Sequence, residues 1–251
     1  MSETVQRFYD SLADSYHQIF PDWDSTMKRQ SQIFTNLIAA RLGDGKQKVL
    51  DCACGIGTQS IGLAAAGHDV VASDISPMAA RRAAHEAARR GVALSPVIAD
   101  MRGLPFDTGR FDVVVCVDNA LAHLLTDRDM SAAAAELRRV LRPGGLLVAT
   151  IRDYRQARRT HPGAGSPQIA GDAATFQLWD WHDDGARYDL RHFQVISTGI
   201  HDWRVRVRQA TFWAVTPDEV AESLTGAGFT DIAWLEPTES DFYQPVVVAT
   251  A

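Results

Sequence analysis

The chain reads as an α/β protein: a seven-stranded, mostly parallel sheet with helices on both faces, preceded by a helical cap and followed by an antiparallel lid. Three observations predict this. From residue 47 to 151, short strand patterns alternate with helical ones. The strands among them are nearly continuous apolar runs, as strands covered on both faces are. After residue 174 the pattern changes to alternating segments around Asp183-Asp184-Gly185, a hairpin signal.

Residues 1–45 carry helical spacing. Phe8, Leu12 and Tyr16 recur every fourth residue, and Ile33, Leu37, Ile38 and Leu42 form a second apolar face that ends near Gly43. Pro21-Asp22-Trp23-Asp24 between them reads as a turn. Lys48-Val49-Leu50-Asp51 is the first strand and runs into Gly55-Ile56-Gly57. The helix that follows is stopped by Gly67. Residues 69–74 make the second strand, 77–90 a helix opened by Ser76-Pro77 and closed by Gly91. The third strand is expected at 95–100 and the fourth, apolar enough to be central, at 111–118. A helix over 129–141 ends at Arg142-Pro143-Gly144-Gly145, and 146–151 is the fifth strand. Residues 155–173, with their Arg, Gly, Pro and Ser, read as an irregular loop. Lid strands are expected at 175–182, 186–197 and 202–214. Thr216-Pro217-Asp218-Glu219 opens a last helix that ends at Gly226-Ala227-Gly228, and strands at 229–236 and 245–250 complete the sheet.

A chain of 251 residues allows one large domain or two small ones. The second half is too interleaved with the sheet to stand alone. The reading is therefore one domain over 1–251: cap 1–45, ligand-binding core 46–154, lid insertion 155–215, and C-terminal helix and strands 216–251. With 46% hydrophobic and 22% charged residues, wholesale disorder is excluded. The net charge of −6 argues against a general nucleic-acid binder. No apolar run is long enough to span a membrane, and Met1-Ser2-Glu3-Thr4 begins no secretory signal. Cys52, Cys54 and Cys116 cannot build a disulfide framework and suit a reducing compartment, so a cytoplasmic protein is expected. Cys52 and Cys54 lack a second cysteine pair to complete a zinc site, and no metal is expected.

The strongest chemical signal is Val49-Leu50-Asp51-Cys52-Ala53-Cys54-Gly55-Ile56-Gly57-Thr58, at a strand end that opens a helix. Glycines there let a ligand approach the backbone closely, and helix N–H groups face the crevice beyond the strand ends. Asp74 ends the next strand, where a carboxylate can grip the two hydroxyls of a ribose. A dinucleotide fingerprint would place a third glycine near Ser60, and a P-loop would carry a lysine; both are missing. Asp51 would repel a pyrophosphate and suits a ligand with an ammonium group.

These residues resemble the class I S-adenosylmethionine-dependent methyltransferases, over roughly residues 8–155. Asp51 through Gly57 is similar to the family's first motif, with Ala53 where glycine is commonest. Asp74 matches the ribose-binding acid, Asp100-Met101 the adenine-flanking pair, and Leu141-Arg142-Pro143-Gly144-Gly145 the turn before the fifth strand. The resemblance implies a Rossmann-like sheet with an antiparallel last strand. It implies S-adenosylmethionine as cofactor, held by Tyr16, Arg29, Asp51, Ala53, Gly55, Gly57, Asp74, Ile75, Met78, Asp100, Met101 and Asp118. Arg29 falls where the family places an arginine on the cofactor's methionine carboxylate.

Within that family the chain is similar to glycine and glycine/sarcosine N-methyltransferases. Val115 to Leu124 resembles their fourth-strand motif, with Asp118 where they usually carry glycine, and Ile151-Arg152-Asp153-Tyr154 resembles their Arg-Asn-Tyr stretch. The resemblance implies a small-molecule acceptor whose carboxylate is held by Asn119 and Arg152, with Tyr9, His123 and Tyr154 nearby. A guanidinium fork matches a carboxylate. Asp118 is open to a substrate ammonium or hydroxyl instead. His123 is the nearest base in sequence, though a buried, satisfied histidine reads equally well. Tyr9 and Tyr16 either close over the cofactor or simply pack.

An amine acceptor needs no strong base, because its proton can leave after transfer; an alcohol or phenol would need one. The expected activity is therefore N-methylation of a carboxylate-bearing amine. The alternative is an O- or ring-N-methyltransferase of natural-product chemistry, favoured by Asp118 and by Trp179, Trp181, Trp203 and Trp213 in the lid. A non-catalytic cofactor-binding subunit is a further alternative. The expected partner is the small-molecule acceptor, with neither nucleic acid nor membrane. The resemblance leaves a homo-oligomer open.

Overall fold

The computed structural model describes residues 2–171, 173–199 and 202–251. Met1, Asp172, Ile200 and His201, which the sequence places in the cap, the loop and a lid turn, lie outside the described residues.

The cap is α1 (Ser2–Leu12), a 3-10 segment over Ala13–Ile19 and α2 (Trp23–Leu42). Asp22 belongs to the helix rather than to a free turn: its carboxylate accepts the Ser25 N–H at 3.0 Å and caps α2. The core then alternates β1 (Lys48–Cys52), α3 (Thr58–Ala65), β2 (Asp69–Asp74), α4 (Pro77–Arg89), β3 (Val97–Ile98), β4 (Phe111–Cys116), α5 (Asp127–Val140) and β5 (Leu141–Thr150). A short helix α6 (Tyr154–Thr160) leads into the lid strands β6 (Gln168–Ala170), β7 (Ala173–Trp181), β8 (Arg187–Ser197) and β9 (Trp203–Trp213). The chain returns through α7 (Pro217–Gly226), β10 (Thr230–Leu235), α8 (Pro237–Ser240) and β11 (Val246–Thr250).

The main sheet has seven strands in the order β10-β11-β5-β4-β1-β2-β3, and the lid is an antiparallel sheet β6-β7-β8-β9. β11 runs antiparallel to both its neighbours, while β1 to β5 pair in parallel. Both faces are covered, which is why the strands read as unbroken apolar runs. Leu50, Val114 and Leu147 pack toward Leu137 of α5 and Leu224 of α7. Val49, Val113 and Val148 pack toward Phe34 and Ile38 of α2 and Leu63 of α3. Cap, core and lid meet in one buried cluster of Phe8, Leu12, Tyr154, Tyr188 and Phe212.

Helices α2 and α3 touch at Gly62. A Cβ there would lie 2.6 Å from Ser31 Cβ and 3.0 Å from the Met27 carbonyl oxygen. Gly62→Ala therefore pushes the helices apart, at a cost of about 1–3 kcal/mol. Thermal melting should show a Tm lowered by roughly 2–4 °C per kcal/mol; an unchanged Tm would mean the crossing is loose.

Several boundaries differ from expectation for local reasons. The third strand is only Val97–Ile98, because Pro96 has no N–H to give and Asp100 turns back, its carboxylate accepting the Arg102 N–H at 3.0 Å. The fourth stops at Cys116 because Asp118 and Asn119 are left-handed, at φ 58° and 69°. The fifth begins at Leu141: residues 142–145 form a bulge, Phe111 pairing with Leu141 and Val113 with Leu146. The expected loop over 155–173 holds α6, capped by Asp153, and the edge strand β6, so the lid has four strands rather than three. The hairpin signal holds, with Asp184 accepting the N–H groups of Ala186 and Arg187, both at 2.9 Å.

Candidate active site

The crevice lies beyond the carboxyl ends of the parallel strands, at β1, where the strand order reverses direction. β1 delivers Asp51, and the chain then makes a tight loop with Ala53, Gly55 and Gly57 at φ 67°, 54° and 93°. Gly57 is required: a Cβ there would stand 3.0 Å from Ile61 Cδ1 and 3.1 Å from Ala83 Cβ. Tyr16 from the cap roofs the loop, its Cε1 lying 3.3 Å from where a Cβ on Gly55 would be. Asp74 at the end of β2 holds the loop from beside it. Its carboxylate accepts the Gly55 N–H at 2.7 Å and the Ser76 N–H at 2.8 Å.

Asp51 is fully buried below the loop. One carboxylate oxygen accepts from the Ser60 hydroxyl, and the other has no partner among the described residues. Burial pushes the Asp51 carboxyl up to about 7 and that of Asp74 to about 6. At the end of β4, Asp118 accepts from the Tyr243 hydroxyl at 2.8 Å and from Gln59 Nε2 at 2.9 Å; burial raises it too. Its backbone N–H donates to Thr150 Oγ1 at 2.9 Å. The Tyr9 hydroxyl lies 2.8 Å from His123 Nε2. Burial holds that imidazole down at about 4, so it is neutral near pH 7.

Three adjoining cavities run outward from the loop. The inner one is lined by Tyr9, Tyr16, Ala53, Gly55, Asp74, Ile75, Asp100, Met101, Asp118 and His123, together with Val5, Gln59 and Arg102. A throat shares Tyr9, Tyr16 and Asp118 with it and adds Asn119, Arg152 and Tyr243. An outer cavity of about 810 Å³ shares Arg152 and Tyr243 with the throat and reaches Phe20, Arg29, Phe176 and Trp179.

The structure thus brings ten of the expected residues together around the inner cavity. Asp51 and Gly57 sit behind its wall. Met78 does not line it: the residue is 42% exposed at the first turn of α4, with its N–H on Asp10. Arg29 is also elsewhere, exposed on α2, with its guanidinium donating to the Asp241 carbonyl at 2.8 Å, on the rim of the outer cavity. Tyr154 is wholly buried and lines no cavity described above; its hydroxyl meets Tyr188 Oη and accepts from Asn119 Nδ2, both at 2.8 Å. Asn119 Oδ1 in turn accepts the Arg152 N–H at 3.1 Å, so Asn119 braces the Arg152 backbone.

Sequence reasoning missed Gln59, Arg102, Gln177 and Tyr243. Gln59 lies in the first turn after the glycine loop, a position that marks it. Tyr243 carries no local signal and arrives only because β11 enters the sheet beside β5.

Residues 49–145 match the family model described as "Methyltransferase domain". A glycine/sarcosine N-methyltransferase of Halorhodospira halochloris is 33% identical over 151 residues, which is 60% of this chain and 55% of that protein. Residues 49–145 are thus similar in sequence to methyltransferase domains. The chain spans about half the length of the curated relatives it matches. The chain shares its fold with an S-adenosylmethionine-dependent methyltransferase of Clostridium acetobutylicum, at a TM-score of 0.77 and 14% identity over 96% of this chain and 97% of that one. It also shares it with a SAM-bound amino pentose methyltransferase of Micromonospora echinaspora, at a TM-score of 0.70 and 23% identity over 89% and 91%. Among the described residues, no helix is long and apolar enough to cross a membrane.

Proposed function

We propose that the chain methylates the nitrogen of a small amine that carries a carboxylate, with S-adenosylmethionine as donor. The observation that carries this reading is Arg152. Its guanidinium stands where throat and outer cavity meet, 5.1 Å over the Trp179 ring, and donates to the neutral amide oxygen of Gln177 at 3.2 Å. No carboxylate among the described residues forms an ion pair with it. A half-buried guanidinium left with a neutral partner is matched best by an anion that arrives with the substrate.

The inner cavity suits the family's cofactor. Asp74 would hold the ribose hydroxyls, Asp100 and Met101 the adenine, and the glycine loop would lie under the amino-acid portion. The unpartnered, buried oxygen of Asp51 calls for a cationic group from that portion. Arg29 and Met78 are left out of this set. When bound, S-adenosylmethionine supplies a methyl on a sulfonium, which passes to the acceptor lone pair while the sulfur keeps the bonding electrons. The chain's own residues position and shield. Arg152, braced by Asn119, orients the carboxylate; Tyr9 and Tyr16 close the boundary between inner cavity and throat against water. The proton on the methylated nitrogen can be shed after transfer, so the step asks no base of the chain. A second reading, a hydroxyl acceptor, would need a base, and His123 is the imidazole that lines the inner cavity.

The proposal takes residues 1–251 as one methyltransferase unit of cap, core, lid and C-terminal strands, supported by the shared cluster of Phe8, Tyr154, Tyr188 and Phe212. It places the activity in the cytoplasm, in keeping with three free, buried cysteines.

Its test is methyl transfer by the purified chain with a deuterated-methyl cofactor. The panel holds small amino acids, their methyl esters, phenols and ring nitrogens. Label on the nitrogen of the acids and not of the esters is expected; label confined to phenols or ring nitrogens overturns the reading.

Cofactor affinity should depend on pH. Asp51 and Asp74 are raised in the free protein, and a cationic ligand favours their ionised forms. Affinity is therefore full above about pH 7 and falls as pH drops through about 7 and then about 6. Free folded protein binds more protons than the unfolded chain in this window, so its own stability declines as pH rises toward 7. The rise in Tm on adding cofactor should accordingly be larger at pH 8 than at pH 6, and Asp51→Asn should flatten the difference. Equal shifts at both pH values in the unsubstituted protein would separate Asp51 from the cofactor.

A further inference from the structure

We infer that the acceptor is an α-amino-acid-type amine with a ring-bearing side chain, and that the outer cavity seats that ring. The inference rests on the assignment of Arg152 to the substrate carboxylate.

The order of the cavities sets the order of the substrate's parts. Inner cavity and throat share Tyr9, Tyr16 and Asp118, so the reacting nitrogen belongs at that boundary. Throat and outer cavity share Arg152, Gln177 and Tyr243, so the carboxylate belongs at the second boundary. Whatever else the α-carbon carries points outward. The space waiting there is about 810 Å³, within the roughly 300–1,000 Å³ of ordinary ligand sites. A two-carbon amino acid would end at Arg152 and leave it to water.

The walls favour a ring. Phe20, Phe176, Trp179 and Tyr243 line the space. They are held before any ligand arrives. Phe176 stacks on Phe193 at 4.7 Å, and Trp179 stacks on Tyr188 at 4.6 Å. Tyr243, 55% exposed, is tied by its hydroxyl to Asp118 and anchored by its neighbour Phe242, which is buried against Phe34 at 5.1 Å. Fixed walls lower the cost of ordering them on binding. The charged groups that face the space are Arg29, Arg152 and Asp22; burial holds the His192 imidazole down at about 4 and so neutral, and the Asp22 carboxylate is already occupied by Ser25, whose hydroxyl donates to it at 2.7 Å.

The test is kcat/KM of the purified protein for glycine, alanine, leucine, phenylalanine and tryptophan, each beside its methyl ester. A rise of about tenfold or more from glycine to phenylalanine is expected, the gain from burying an aromatic side chain. Phe176→Leu should cut the phenylalanine-to-glycine ratio several-fold, with unchanged cofactor affinity showing that the fold is intact. A flat or falling series with inactive esters overturns this inference and leaves the carboxylate reading standing. Acids and esters that react alike overturn the carboxylate reading itself. Where turnover is too slow to measure, calorimetry on protein loaded with S-adenosylhomocysteine reads the same order; absence of binding across the series overturns both.

Discussion

Asp74→Ala should weaken S-adenosylmethionine binding by about 2–4 kcal/mol, roughly thirty- to several-hundredfold in Kd. Two losses combine. The ribose hydroxyls would lose a charged acceptor. The loop would lose its brace, since the same carboxylate fixes the N–H groups of Gly55 at 2.7 Å and Ser76 at 2.8 Å. Asp74→Asn keeps the shape and one acceptor oxygen, so it should recover part of the affinity. Titration calorimetry decides: an unchanged Kd for the alanine variant removes Asp74 from the cofactor site.

Arg152→Ala should act on the other partner. The KM of a carboxylate-bearing acceptor should rise by about 2–4 kcal/mol, the cost of removing one member of a desolvated charge pair. Cofactor affinity should stay within about twofold, because Arg152 lines the throat and outer cavity and not the inner one. Arg152→Lys keeps the charge but loses the fork and its stacking on Trp179, and should fall between the two. Steady-state kinetics at saturating cofactor measures this, and collapse of cofactor binding in the alanine variant would move Arg152 to the donor's side.

What could be read from the sequence was local. The apolar strands, the glycine loop and the acids Asp51, Asp74 and Asp100 sit within a few residues of the elements that place them. Helix α6 was hidden because seven residues rich in arginine hold it through a single cap at Asp153. The bulge over residues 142–145 was hidden because its Pro-Gly-Gly composition is that of a turn. Arg29 lies on the helix expected for it, but the orientation of α2 turns it toward Asp241, which spacing along one chain does not show. Tyr243 and Gln177 come from a loop beside β11 and from the lid, and only the pairing of distant strands joins them to Arg152.

The left-handed pair Asp118-Asn119 bears on how such a chain evolves. Two successive non-glycine residues with positive φ cost on the order of 1 kcal/mol each, and Asp118 adds the expense of a buried carboxylate. The resembled family usually has glycine at that position. Asp118→Gly should therefore raise Tm while slackening the Tyr243 strap and the grip on the acceptor. Selection for stability alone would favour that replacement wherever the relieved strain outweighs the lost bonds to Tyr243 and Gln59. Persistence of aspartate in descendants of this chain would then mark selection for the site that it straps rather than for the fold.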